Sequence, residues 1–129
     1  MKLCLILSLV VLGSCSKSNT QIPTSLTGKT LRGTVTSGSD AFAGLEGYQF
    51  STRFLSENQF ESKNAAGALE SAGQYSLKKN HLILQSSGGL HPGETLEIIL
   101  KFTDAQSGVY EAHSLSGSAG EETGIFTLQ

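Results

Sequence analysis

From Gly28 onward, apolar and polar residues alternate with a period of two, and helical spacing is almost absent. A period of two sends successive side chains to opposite faces, which is the geometry of a β-strand. The pattern predicts eight strands, at residues 30–37, 47–55, 59–63, 71–78, 81–86, 95–103, 108–115 and 122–128. The strongest is 95–103, with Leu96, Ile98, Leu100 and Phe102 opposite Glu97 and Lys101. The same alternation puts Leu31, Gly33 and Val35 on one face of the first strand. It groups Tyr48, Phe50, Thr52 and Phe54 on one face of the second. Turn-forming residues separate the strands, among them Glu57-Asn58, Ala66-Gly67, Lys79-Asn80 and Pro92-Gly93. Short links exclude helical crossovers, so consecutive strands pair antiparallel. One apolar face per strand fits a sheet closed on itself or folded into two layers, and closure removes exposed edges. The expected fold is all-β: an antiparallel, up-and-down barrel of about eight strands.

The amino terminus follows another rule. Lys2 precedes an apolar run over residues 3–12, and Gly13 and Ser14 lead into Cys15. A basic start, a short apolar core and small residues are the parts of a secretory signal. Ten residues reach about 15 Å as a helix, half of a hydrocarbon core of roughly 30 Å, so the run does not span as an anchor. Leu12-Gly13-Ser14-Cys15 resembles the lipobox of bacterial lipoprotein precursors. That resemblance implies cleavage before Cys15, a diacylglycerol thioether on its sulfur and an acylated amino terminus. More than one acyl chain makes a stable anchor. Ser16 stands where an aspartate would favour inner-membrane retention, so the resemblance implies the outer membrane, facing the periplasm. Three parts are expected: a signal at 1–14, a lipidated cysteine with a flexible Ser/Thr/Asn/Gln-rich tether at 15–27, and a barrel domain at 28–129.

Cleavage would leave 115 residues carrying 8 basic and 11 acidic side chains, a net charge of −3. That balance, spread along the chain, offers no basic patch for nucleic acid. Cys4 leaves with the signal and Cys15 is consumed by lipid, so no disulfide is expected and the core must supply the stability.

One sub-pattern recurs. Gly73-Gln74-Tyr75-Ser76-Leu77 and Gly124-Ile125-Phe126-Thr127-Leu128 share Gly-x-aromatic-x-Leu, and Gly108-Val109-Tyr110 is a partial third copy. Glycine in a strand marks a bend or a close approach, and an aromatic two residues on shares its face and can cover it. With this pattern and the strand count, residues 28–129 are similar to small lipocalin-like (calycin) barrels. The Gly-x-Trp signature of true lipocalins is absent, because the chain has no Trp.

No catalytic constellation emerges. His81, His91 and His113 share no metal-ligand spacing, so solvated histidines and no metal are expected. No Gly-x-Ser-x-Gly elbow occurs, and Ser116-Gly117-Ser118-Ala119-Gly120 lacks the lysine of a phosphate loop. Glu121 and Glu122 are strand neighbours and point to opposite faces, while Glu97 and Glu111 face outward. The remaining candidate is the inward aromatic set Tyr48, Phe50, Phe54, Tyr75, Phe102, Tyr110 and Phe126. Eight-stranded barrels either fill their interior with side chains or hold one small ligand, and both readings stay open. The loop at 39–47, with Phe42 and Leu45, is read as a lid over one mouth, an apolar plug or a membrane-touching tip. The expectation is therefore a lipid-anchored, non-enzymatic binding module for a small apolar ligand or an envelope protein, without cofactor. An envelope inhibitor or accessory subunit of a larger machine is the alternative. A tryptophan at Phe50 or Tyr75 would fill a lumen and separate the two.

Overall fold

The computed structural model describes residues 22–116 and 119–129. Cys15, the signal and most of the expected tether lie outside the described residues. Eight strands follow one another: β1 (Thr30–Asp40), β2 (Gln49–Phe54), β3 (Gln59–Asn64), β4 (Leu69–Lys78), β5 (His81–Gly89), β6 (Thr95–Phe102), β7 (Ser107–Ser114) and β8 (Gly120–Leu128). Each pairs antiparallel with the next, and β1 pairs with β8, so the sheet closes into a barrel. The eight expected strands all form. The sequence reading stops β1 at Ser37 and starts β2 at Gly47. In the structure β1 runs on to Asp40 past a bulge between Val35 and Ser37, and Tyr48 precedes β2.

The two ends of the barrel differ. At one end lie the β2–β3, β4–β5 and β6–β7 turns, the carboxyl terminus and the point where the chain enters. At the other lie the loops β1–β2, β3–β4, β5–β6 and β7–β8. Near the first end the inward positions are large and apolar. Leu31, Phe54, Tyr75, Leu82, Leu100, Phe126 and Leu128 are buried there, with Phe102 packed against them. Burying a side chain of this size contributes about 1.5–3 kcal/mol. Phe54 meets Tyr75 edge-on at 4.8 Å between ring centres, and Phe102 meets Phe126 at 5.0 Å. Edge-to-face contact places the positive ring edge on the negative face. The Tyr75 hydroxyl donates to the Ser56 carbonyl at 2.7 Å, so its polar tip is satisfied.

This end is sealed by a residue that the sequence reading assigns to the flexible tether. Leu26 is 1% exposed and packs in the core. Its neighbours are pinned: Ser25 Oγ and Thr27 Oγ1 both donate to Glu57 Oε1 at 2.7 Å. Gly28 N–H donates to the Phe54 carbonyl at 2.8 Å. The folded unit thus begins by Ser25 rather than Gly28. A lone leucine in a polar stretch has no periodicity to reveal it; only the open end of a barrel gives it somewhere to go.

The strand glycines pair with aromatic residues on neighbouring strands. Gly33 is opposite Phe50, Gly73 opposite Phe60, Gly108 opposite Phe102 and Phe126, and Gly124 opposite Tyr110. A Cβ at Gly33 would stand 2.3 Å from the Phe50 ring, and one at Gly124 would stand 2.5 Å from the Tyr110 ring. The sequence reading has each aromatic cover the glycine of its own strand. The covering ring instead comes from across the ladder, because cross-strand partners are closer than residues i and i+2.

Candidate functional site

The inward positions change character along the barrel. Toward the loop-bearing end they are Thr52, Ser62, Ser86 and Ser114, small hydroxyl residues in place of rings and leucines. Small side chains leave the middle of the barrel unfilled, and a cavity of about 600 Å³ opens there. Its apolar floor and walls are Phe50, Phe60, Leu84, Leu96 and Ile98. Thr52 and Ser62 hydroxyls bond each other at 3.0 Å within the wall. Among the described residues no buried side-chain polar atom lacks a partner. Pockets of roughly 300–1,000 Å³ with an apolar lining and a few placed polar groups are typical small-molecule sites.

The β1–β2 loop folds over the mouth. Phe42 and Leu45 are half-buried and line the cavity. The loop is held by Ala41 N–H to the Ala119 carbonyl and Phe42 N–H to the Ser39 carbonyl. The loop thus puts Phe42 and Leu45 against the cavity.

Two carboxylates stand in the wall. Glu122 lies two residues before Gly124 on the inner face of β8. The Tyr110 hydroxyl donates to Glu122 Oε1 at 3.0 Å. Burial raises the Glu122 pKa, and the Tyr110 hydrogen bond partly offsets this. Burial also raises the Tyr110 pKa, and the Glu122 charge adds to it. Glu70 arrives by a different route. Plain alternation back from Tyr75 would turn Glu70 outward and Leu69 inward. The pairing slips there, with Ser62 opposite Ser71 but Lys63 opposite Leu69, so Glu70 is the extra residue of a bulge. A bulge re-aims side chains, and Glu70 lines the cavity while Leu69 is 43% exposed. Burial raises the Tyr48 pKa, and the nearby Glu70 and Glu122 carboxylates raise it further. His91 and Glu94 sit at the rim, 3.7 Å apart.

The structure therefore divides the predicted aromatic set. Tyr48 and Phe50 line the cavity. Tyr110 is buried beside it, edge-on to Phe50 at 5.9 Å, and reaches it through Glu122. Phe54, Tyr75, Phe102 and Phe126 belong to the filled end. The interior is thus packed with side chains in one half and unfilled in the other. Sequence reasoning missed Glu70 and Glu122 as interior groups. For Glu122 the signal was present, since stepping back by twos from Leu128 through Phe126 and Gly124 reaches it. For Glu70 none was, because the bulge breaks the register.

The histidines lie on the outside or the rim, each beside a carboxylate. His81 Nδ1 is 3.0 Å from Glu97 Oε2, and His113 lies between Glu111 and Glu121. Lys101 pairs with Glu111 on the same outer face and lowers its pKa. A second depression of about 570 Å³ crosses the outer faces of β1, β2, β3 and β8, flanked by Arg32 and Lys63. It lies on the outside of the sheet; the volume inside the barrel, with its convergent polar groups, is the other. Among the described residues no group of three His, Cys, Asp or Glu could hold a metal, and no helix is long and apolar enough to cross a membrane. Comparisons with protein-family models, with curated proteins and with solved structures return no match for this chain.

Proposed function

We propose that this chain is an envelope lipoprotein, held at the outer membrane through acyl chains on Cys15 and facing the periplasm. Its lipocalin-like barrel is a non-enzymatic binding module for one small, largely apolar ligand. The cavity of about 600 Å³ above a sealed apolar floor carries this reading. A filled core would need neither the hydroxyl-lined upper half nor the Phe42 lid. The chain enters at the sealed end, so an anchor at Cys15 attaches opposite the mouth. The mouth is then free to meet a ligand or a partner away from the anchoring leaflet.

A second reading, an inhibitor or accessory subunit of an envelope machine, is favoured by the rim. Leu90 and Leu115 are 67% and 55% exposed on two loops of the mouth, and Leu69, the first residue of β4, is 43% exposed. Exposed leucines on a rim offer apolar surface that a protein partner would cover.

Native mass spectrometry of residues 16–129, exported to the periplasm of the native host, separates the two. The expected result is an excess mass that is lost on denaturation and absent from Phe50→Trp, whose larger ring occupies the cavity. A bare polypeptide mass from the unaltered chain overturns the ligand reading and leaves the protein-contact reading. Tyr75→Trp is not the variant to use, because Tyr75 packs at the filled end.

A further inference from the structure

We infer that the cavity selects a ligand with an organic cation, an ammonium or substituted amine, on an apolar body, the cation set against Glu122 and Glu70. This deepens the carrier reading and rests on it. An apolar cavity by itself would take any greasy molecule of the right size. Among the described residues the cavity wall carries two carboxylates, Glu70 and Glu122, and no lysine or arginine to balance them. Among the described residues, neither Glu70 nor Glu122 lies within 4 Å of a lysine, arginine or histidine nitrogen. Among the described residues no lysine or arginine lines the cavity, and His91, at the rim, is beside Glu94. Burying an uncompensated carboxylate costs free energy, and a ligand cation would recover it.

The geometry admits an ammonium. Tyr110 donates to one oxygen of Glu122 and so directs the carboxylate without neutralising it. A carboxylate has four acceptor positions, and one phenol uses one. Phe50 and Phe42 line the same space, and aromatic rings are partners for a cation. Phe60, Leu84, Leu96 and Ile98 form the apolar surface for the rest of the ligand. A metal ion is disfavoured as the cation, because no third ligating side chain joins the two carboxylates among the described residues. An anionic amphiphile such as a fatty acid would meet like charge in the cavity wall and be repelled.

The test is calorimetric titration of residues 16–129 at pH 7.5 with decylamine, decanol and decanoate, equal in chain length and different in head group. Those residues hold every strand and the Leu26 seal, and the barrel closes on itself within them. A charge-assisted hydrogen bond predicts that decylamine binds roughly tenfold or more tighter than decanol, with decanoate weakest. Glu122→Gln keeps an oxygen acceptor for Tyr110 and should bring decylamine to within about twofold of decanol, leaving decanol unchanged. Glu97→Gln, on the outer face, should keep the full preference. Decanol binding as tightly as decylamine, or a preference that survives Glu122→Gln combined with Glu70→Gln, overturns cation selection and leaves the carrier reading standing. Failure of all three probes overturns both.

Discussion

Glu122 and Leu26 show how much a single interior position decides. Glu122 sits in the cavity wall with its carboxyl raised by burial. A raised folded-state pKa means that the folded chain holds this proton more tightly than the unfolded chain. The contribution to stability is then fully present below the ordinary glutamate value and is lost as pH rises through the raised one. Glu122→Gln removes that loss. Urea unfolding at pH 4 and pH 7.5 should show the variant gaining on the unaltered chain at the higher pH only. An equal difference at both would mean that the carboxyl is not desolvated. Glu57, Asp104 and Glu111 have lowered pKa values and act in the opposite sense, losing stability as pH falls, but they are common to both chains and cancel in the difference. Leu26 is the counterpart at the sealed end. Leu26→Ala should cost about 2–5 kcal/mol, the range for emptying a packed leucine site. A loss under 1 kcal/mol in the same unfolding experiment would mean that the segment lies loosely on the barrel.

At the scale of elements, the strands depend on glycines that let neighbours approach. A Cβ at Gly124 would meet the Thr34 carbonyl at 2.3 Å and the Tyr110 ring at 2.5 Å. Both atoms belong to adjacent strands, so one methyl disturbs β1 and β7 together. Gly124→Ala should therefore destabilise by about 1–3 kcal/mol, the usual cost of overpacking. It should also shift Tyr110 and with it the hydroxyl that holds Glu122. Gly67→Ala is the comparison in a loop: nothing stands within 4 Å of its Cβ, and its penalty comes from a φ of +86° alone. A Gly124→Ala chain as stable as the parent would show that the strands can separate without cost. The elements also show where pattern reading stops. The alternation in β6 and β8 names every inward residue, since both strands run without a bulge. In β4 one extra residue exchanges Leu69 and Glu70 between faces.

The folded unit is a cup, packed and closed where the chain enters, and open at the other end, where hydroxyls and carboxylates join the apolar wall. With lipid on Cys15 the closed end is the anchored one. Cys15→Ala should leave the precursor uncut and without lipid, as read by metabolic labelling with a fatty acid and by the mass of the chain. Normal processing of that variant would refute the anchor and leave the cup intact, because the described residues by themselves close the barrel. The leucines on the rim are the surface that a protein partner would cover.

The sequence by itself determined the strand number, the pairing of neighbours and nearly every inward side chain. A period of two is a local property, and short polar turns leave antiparallel neighbours as the only economical pairing. Barrel closure was the one of two expected arrangements that the β1–β8 ladder realised. Only the tertiary structure decided that Leu26 seals one end, that Glu70 turns inward and that the other end stays hollow. Each depends on what lies across the barrel. A seal needs an opening, a bulge needs a partner strand to slip against, and a cavity is the space that residues far apart in the chain fail to fill.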